Sequence, residues 1–473
     1  MVTPTVGPFA GAYLASIAVE NLRCFGESQR LDLLTSAGHP ARWTLLLGEN
    51  GTGKSTLLQA IAAASLNPLE LNPSRSPEGA FAPRGFPTLP PQHQGLGPAL
   101  LATTVSATLR AQSALECAPL RTIELSLSLC APDVAPSDVD DPERFELGSP
   151  AIVSHWFGYG PQRRLGVGKL SGEAPDPLAA LFSADVPLVN AEEWFLQRDY
   201  ASSNPRLDDA ARSRASKTRD RIEALLKSVL PGVEHLTPVM VPASDLGQFR
   251  LHASTPYGSV PVAELGYGYQ STLAWVVDLA ARMIAAYPES DDPLAEPAVV
   301  LVDEIDLHLH PRWQRTLLAE LSARFPNVQF IATAHSPLIV QAAPDANVVV
   351  LRREGDHVVI DRMPDSVRNW RVDQILTSDL FGLPSARPAQ LDAKFRRREE
   401  ILRREVPTAD ERTELARLHD ELSATPAGES RALLEAEEIM LALTRERIAL
   451  EKRPKSAAKP RGKVRAAPAR RRP

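Results

Sequence analysis

The chain has 473 residues, 44% hydrophobic and 23% charged, with three cysteines and a formal net charge of −6 at pH 7. That length holds a large core and more than one structural unit, and the ordinary apolar and charged fractions exclude a wholly disordered chain. Cys24, Cys117 and Cys130 are widely spaced with no C-x-x-C pair, which excludes a disulfide framework and a cysteine zinc site and fits a reducing cytoplasm.

Residues 1–12 read as a lead-in, without the basic segment, apolar run and small-residue cleavage site of a secretory leader. Tyr13 to Glu20 alternates as a strand should, and a second strand is expected around Arg30 to Leu34. Gly38-His39-Pro40 then turns the chain into a short buried strand, Trp43 to Leu47. Next comes Gly48-Glu49-Asn50-Gly51-Thr52-Gly53-Lys54-Ser55-Thr56, which satisfies G-x-x-x-x-G-K-[ST], and Thr56 to Ala62 reads as a helix. Strand, glycine loop and helix in that order put a phosphate chain on a helix N-terminus. The glycines let successive backbone N–H groups close round the phosphates, Lys54 adds a point charge, and the Ser55 hydroxyl is placed to ligate Mg²⁺. The stretch predicts a site for ATP with Mg²⁺.

Leu66 to Pro98 is crowded with Pro and Gly and reads as an irregular surface insertion. Thr103 to Gln112 and Leu120 to Leu129 alternate with period two, as half-buried antiparallel strands do. Ala151 to Phe157 is another expected strand, leading into a loop from Gly158 to Arg164. Ala191 to Leu230 reads as helices interrupted near Ser202 to Pro205, with Ile222, Leu225, Leu226 and Leu230 on one apolar face. A long apolar helix is expected near Ser271 to Tyr287, and its Asp278 and Arg282 argue against a membrane span.

Pro297 to Glu304 is an apolar run ending in two acids, as a central strand of a mostly parallel sheet would be, and acids at its C-terminal end face the crevice where α/β proteins bind ligands. Side chains alternate along a strand, so Asp303 is expected to support Mg²⁺ and Glu304 to orient or deprotonate the hydrolytic water. A helix with Leu317, Leu318 and Leu321 on one side follows, then a second buried strand, Val328 to Thr333, running into Ala334-His335-Ser336-Pro337. His335 at that strand end is positioned to donate to the γ-phosphate. His308 and His310 form H-x-H, but no third ligand cluster accompanies them, and the metal reading is rejected. Ala346 to Leu351 and His357 to Asp361 form a hairpin, and Trp370 to Leu376 is a short helix. Lys394 to Glu405, Ala409 to Leu422 and Ser430 to Leu450 are expected helices of a hairpin or small bundle. Residues 452–473 hold ten Lys or Arg and no acid, which leaves a body of 42 basic and 58 acidic residues, a net of −16. Such a tail reads as a disordered arm for an anionic partner or as a solvated terminus.

Asn21-Leu22-Arg23-Cys24-Phe25, ahead of the phosphate loop, resembles the Asn-Phe-Arg-Ser-Phe opening of the RecF and SMC branch of ABC-type ATPases. Asp303-Glu304-Ile305-Asp306-Leu307-His308-Leu309-His310-Pro311-Arg312-Trp313-Gln314, then Phe325 to Ile331 and Ala334 to Pro337, together resemble the AAA-15/AAA-21-type ABC ATPases of bacteria. That group includes the ATPase subunits of anti-phage systems such as Septu and lies near the overcoming-lysogenization-defect nucleases. The resemblance covers roughly residues 14–64 and 150–380. It implies an α/β, two-lobed ABC-type P-loop NTPase, with a mostly parallel core sheet plus antiparallel strands, a helical arm insertion and a C-terminal helical region. Arg23 would lie near the nucleotide, Gln162 would reach the Mg²⁺ and the attacking water, and His335 would be the switch histidine. The signature loop would be Leu265-Gly266-Tyr267-Gly268-Tyr269-Gln270-Ser271, whose Gly266 and Gly268 would cap the γ-phosphate held by the opposite subunit of a homodimer or higher oligomer. Gly266 stands where that family has a serine and Gln270 where one branch has Arg. One hydrogen-bond donor is lost, and sensing is expected to weaken or to be rebuilt with Ser271 or Tyr267.

The expected organisation is an ATPase core in two parts (13–64 and 236–365), an insertion at 65–100, antiparallel strands and the loop of Gln162 at 101–170, a helical arm at 171–235, a helical region at 366–451 and a disordered basic tail at 452–473. Residues 338–473 hold no D-x-D and no HNH-like Cys/His cluster, so any nuclease or toxin is expected to be a separate effector protein. The functional expectation is a nucleotide-controlled sensor or scaffold in anti-phage defence. The alternative is a RecF-like repair or recombination ATPase that binds DNA, against which the acidic body argues.

Overall fold

The computed structural model describes residues 11–20, 22–26, 28–35, 38–65, 103–112, 121–129, 155–166, 175–242, 248–343, 345–363, 367, 369–404 and 407–423, with 436, 439 and 440. The proline-rich insertion, the basic tail and nearly all of the Ser430 to Leu450 segment lie outside them. Among the described residues the strands are β1 (Gly11–Glu20), β2 (Gln29–Asp32), β3 (Trp43–Gly48), β4 (Thr103–Gln112), β5 (Arg121–Leu129), β6 (His155–Tyr159), β7 (His235–Val241), β8 (Gln248–Thr255), β9 (Gly258–Pro261), β10 (Ala298–Val302), β11 (Val328–Thr333), β12 (Asn347–Glu354) and β13 (His357–Arg362). The helices are α1 (Lys54–Ser65), α2 (Ala179–Phe182), α3 (Ala191–Ser203), α4 (Asp209–Val229), α5 (Tyr267–Ala286), α6 (Pro311–Gln314), α7 (Leu317–Arg324), α8 (Pro337–Ala342), α9 (Val372–Leu376), α10 (Ala389–Arg403) and α11 (Ala409–Ser423).

A six-stranded sheet in the order β13-β12-β3-β11-β10-β6 carries the core, parallel from β12 to β6 and closed at one edge by the antiparallel β12-β13 hairpin. Its central strands are mostly apolar and buried because both faces are covered, and alternation sorts their side chains between two cores. Leu45, Leu47, Val300, Val302, Phe330, Ala332 and Val350 join one core with residues of α3, α4, α5, α7 and α8. Leu46, Val299, Leu301, Ile331, Val349 and Leu351 join the other, with α1 and the strands β1 and β2. The second sheet, antiparallel in the order β2-β1-β4-β5, is tied to the first by Gln329, whose buried amide accepts from Leu14 N and donates to Leu14 O, each at 2.9 Å.

Three elements differ from the sequence reading. Gly158 and Tyr159 belong to β6 and not to the loop after it, since both pair with β10. A third sheet, β7-β8-β9, fills His235 to Pro261, where the alternation is broken by Pro238 and exposed Met240 and Phe249 and no strand was expected. The region expected as a helical arm packs into the core: Trp194 and Phe195 of α3 and Ile222, Leu225, Leu226 and Val229 of α4 are buried there.

Residues Leu383–Pro473 form a second compact unit. Its described part is the helical hairpin α10–α11, whose antiparallel run is set by Lys394–Glu421 and by a two-pronged Arg397–Glu414 pair at 3.1 and 2.9 Å. The short helix α9 belongs to the first unit. Among the described residues no helix is long and apolar enough to cross a membrane.

The two charges in α5 have a structural use. Asp278 is 1% exposed, and its carboxylate accepts from Tyr159 Oη at 2.9 Å, Arg282 Nε at 2.7 Å and Val189 N at 2.8 Å, so one buried acid joins β6, α5 and the segment before α3. Removing one member of such a buried pair strands the other in low dielectric. We expect Asp278→Ala to cost about 3 kcal/mol or more of stability in chemical denaturation, and Tyr159→Phe about 1.5–3 kcal/mol. A loss under 1 kcal/mol in both would mean that the charge cluster does not hold the helix to the sheet.

Candidate active site

The phosphate loop bridges β3 and α1. Its last glycine, Gly53, sits at φ +82°, and a Cβ added there would come within 2.3 Å of Cys24 Sγ and 3.2 Å of the Phe25 ring. The Asn-Leu-Arg-Cys-Phe segment therefore packs directly against the loop. Arg23, itself at φ 52°, donates from Nη1 to Thr56 Oγ1 at 3.1 Å and to Gln59 Oε1 at 3.4 Å. Lys54 Nζ is folded over the loop and donates to Gly48 O at 2.8 Å and Glu49 O at 2.9 Å. Burial pushes its pKa below the ordinary lysine value, and Asp303, Glu304 and Asp306 pull it back up. Ser55 is exposed, whereas Thr52 and Thr56 are buried.

The acids enter from the opposite side. Strand β10 ends at Val302, so Asp303 and Glu304 lie just beyond it, and Glu304 adopts φ 48°. That left-handed turn breaks the alternation expected for a continuing strand, and both acids line the same cleft. Thr333 at the end of β11 holds them: its hydroxyl donates to Asp303 Oδ1 at 2.5 Å and accepts from Glu304 N at 2.7 Å. Asp303 N donates to Tyr159 O at 2.8 Å. Arg163 Nη2 donates to the Glu304 carbonyl at 2.6 Å, and Asp306 Oδ2 accepts from His335 N at 2.9 Å. Gln314 joins the two later motifs, accepting from Ser336 Oγ at 2.6 Å and donating to Leu309 O at 3.1 Å.

The result is an open cleft of about 350 Å³ lined by Arg23, Cys24, Asn50, Gly51, Gly53, Lys54, Ser55, Thr56, Asp303, Glu304 and His335. Of the residues expected at the site, Gly48, Glu49 and Thr52 shape the loop from behind. Gln162 is exposed and outside the lining, and its neighbour Arg163 is the buried one. Gly266 and Gly268 also lie outside it, at the N-terminus of α5, where Gly268 abuts His308: a Cβ on Gly268 would meet His308 O at 2.4 Å. Gln270 Nε2 is occupied by Ala263 O and Leu265 O at 2.9 and 2.7 Å, and Ser271 is 3% exposed. Of the two residues expected to rebuild the signature, Tyr267 is therefore the accessible one, at 48% exposure. The H-x-H histidines have local roles, since His308 stacks edge-on to Tyr267 and His310 caps α6 by accepting from Arg312 N. Sequence reading missed Thr333, Asp306 and Arg163. A hydroxyl closing a buried apolar strand beside an acidic strand end would have pointed to Thr333; nothing in the chain separates Arg163 from exposed Arg164.

Both halves of this cleft match known family models. One described as "AAA domain, putative AbiEii toxin, Type IV TA system" matches residues 134–341, and one described as "AAA domain" matches residues 16–83. Together they take in Arg23, the phosphate loop, Asp303, Glu304 and His335. The chain carries an AAA-type ATPase domain. Among curated proteins, this ATPase is similar to the Septu protein PtuA of Bacillus mycoides (strain KBAB4), 26% identical over 428 residues, 87% of this chain and 50% of that one. It is also similar to the Retron Ec83 probable ATPase of Escherichia coli, 31% identical over 160 residues, 34% of this chain and 28% of that one. The ATPase thus spans about half the length of the first relative and less of the second. Among solved structures it is similar to an SMC head bound to the C-winged helix domain of ScpA, at TM-score 0.38 and 14% identity, covering 74% of this chain and 97% of that one. A RecF recombination mediator structure gives TM-score 0.35 and 13% identity, covering 76% and 100%. At those scores the assignment rests on the cleft and the family models.

The packing beneath the loop sets an expectation. Gly53→Ala should weaken binding of a fluorescent ATP analogue by about tenfold or more, since an Ala at this φ is strained by ~1 kcal/mol or more and its methyl meets Cys24. Adding Cys24→Ala should restore part of the affinity and not all of it. Unchanged affinity in Gly53→Ala would show that this contact does not shape the loop.

Proposed function

We propose that the ATPase binds ATP in this cleft and hydrolyses it, and that its nucleotide state controls an assembly of two or more copies that holds or releases a separate effector protein in anti-phage defence. The observation that carries the proposal is the convergence on one open cleft of the phosphate loop with Asp303, Glu304 and His335, which lie far along the chain from it.

On this reading the loop N–H groups at the start of α1 and Lys54 hold the β- and γ-phosphates, and Arg23 approaches from the side. The residues present suit a divalent ion: Ser55 is exposed between two buried threonines, and Asp303 projects into the cleft with Oδ1 fixed by Thr333. Ser55 and Asp303 would hold Mg²⁺, which when bound neutralises phosphate charge. Glu304, beside them, takes the proton of the attacking water as general base. His335 donates to the γ-phosphate. The signature loop lies apart from the cleft of its own chain, with Gly266 exposed and the N–H groups of Tyr267 and Gly268 left to meet an anion. That separation supports completion of each site by a second copy. The defence role is supported by the similarity to the Septu and retron proteins.

Glu304→Gln should lower turnover by about 10²–10⁴-fold while ATP binding is kept, and the ATP-bound variant should run as a larger particle than the nucleotide-free protein. Turnover should be indifferent to duplex DNA. Salt-sensitive stimulation by DNA would move the assignment to a repair ATPase, and absence of turnover in the wild type would reduce it to a nucleotide-binding scaffold.

A further inference from the structure

Arg163 lies four residues beyond the end of β6 and is 3% exposed, while its neighbours Gln162 and Arg164 are both exposed. A turn buries it, since its backbone N–H donates to Pro161 O at 3.1 Å. Its guanidinium spends one nitrogen on the carbonyl of Glu304, at 2.6 Å. Nε and Nη1 are buried with no hydrogen-bond partner among the described residues, and so is Asp306 Oδ1. Burial pushes the Arg163 pKa down to about 10, and Asp303, Glu304, Asp306 and Tyr267 act in the opposite sense, so the side chain stays charged at neutral pH.

A buried guanidinium with most of its donors unspent is an expensive way to fill space. An apolar side chain of the same volume would pack there at less cost unless the charge has a use. The use is read from what it touches. Glu304 sits in a left-handed conformation that disfavours any residue with a Cβ, and its peptide groups are held from both sides: Thr333 Oγ1 takes the N–H and Arg163 takes the C=O. Without the second of these, the peptide after Glu304 is free to flip back towards an ordinary strand conformation. Alternation would then carry the two acids apart.

We infer that Arg163 is a positioning residue for hydrolysis, holding the Glu304 backbone in the turn that keeps its carboxylate in the cleft beside Asp303. The inference deepens the proposed function and rests on its assignment of Glu304 as the hydrolytic acid. Gln162, the residue expected from resemblance, is the exposed neighbour of this anchor.

The test uses the full chain with Arg163→Met, which keeps the bulk, and Arg163→Lys, which keeps a cation but not the planar fork. Steady-state turnover, affinity for a fluorescent ATP analogue and the unfolding midpoint are measured for each. We expect kcat of the Met variant to fall about 100-fold, as displaced catalytic groups do, with KM and analogue affinity within about threefold of wild type and partial recovery of kcat in the Lys variant. A Met variant that turns over ATP within threefold of wild type overturns the inference. So do kcat, affinity and midpoint falling in step in both variants, which marks a residue needed only for folding. If wild type itself is inactive, or Glu304→Gln matches it, the functional reading fails and takes this inference with it; an active wild type with an equally active Met variant removes the inference alone.

Discussion

One hydroxyl organises the acidic half of the cleft. Thr333 Oγ1 has one hydrogen to give and lone pairs to receive, and it uses them to reach Asp303 and Glu304 at once. It can do so because β11 lies beside β10 in parallel register, with Val302 opposite Ala332, so the residue after each partner is brought to the same level. A slip of one residue would turn every side chain to the other face and carry the hydroxyl away. The register is held by burial on both faces: Val299 to Val302 and Val328 to Ala332 are each no more than 1% exposed. The strain at Glu304, roughly 1–3 kcal/mol for a non-glycine residue at positive φ, persists because the surrounding packing is continuous and its peptide is tied on both sides.

The same strand neighbours transmit that order outward. Tyr159 stands opposite Val302 on the far side of β10, its carbonyl accepts from Asp303 N, and its phenol donates to Asp278 inside α5. The acid strand and the signature helix are thus joined through one residue, and again where Gly268 abuts His308 O and Tyr267 meets the His308 ring. Both Glu304 and His308 are at positive φ, so the segment from the acids to the residue that meets the start of α5 is bent at its two ends. Movement of α5 would be felt at Asp303 and Glu304 through these contacts.

Much of this was legible from the chain. The phosphate loop, the two buried strands and the His335 segment announce themselves because each is dictated locally: glycines where the backbone must bend, mostly apolar runs where both sheet faces are covered. Ile222, Leu225, Leu226 and Leu230 were read from helical spacing, and all are buried. What escaped depends on partners distant in sequence. The roles of Arg163 and Thr333 come from pairings 141 and 30 residues away, which no local pattern encodes. The β7-β8-β9 sheet was hidden because its exposed Met240 and Phe249 and its Pro238 blur the alternation by which strands are recognised. The acids were assigned to different faces on the rule that strands alternate, and that rule fails where the strand stops.

The start of α5, which by resemblance would be the signature loop, shows what a changed motif keeps and what it loses. Gln270 in place of a basic residue turns inward and satisfies the carbonyls of Ala263 and Leu265, so it closes the turn that precedes α5 and offers no charge outward. Gly266 caps the helix through its carbonyl, which accepts from Tyr269 N at 2.9 Å, and makes no side-chain bond to the N–H groups of Tyr267 and Gly268. A 20-residue helix concentrates positive potential at that end, worth about 0.3–1 kcal/mol to an anion at an exposed site. A lost serine donor to a charged phosphate is worth about 1.5–3 kcal/mol. The dipole alone falls short of replacing it, and with Ser271 buried the half-exposed Tyr267 hydroxyl is the group on this helix start left to make up the difference. An assembly built on this loop would then be held more weakly by nucleotide than one with the serine, and would release more readily once the γ-phosphate is gone.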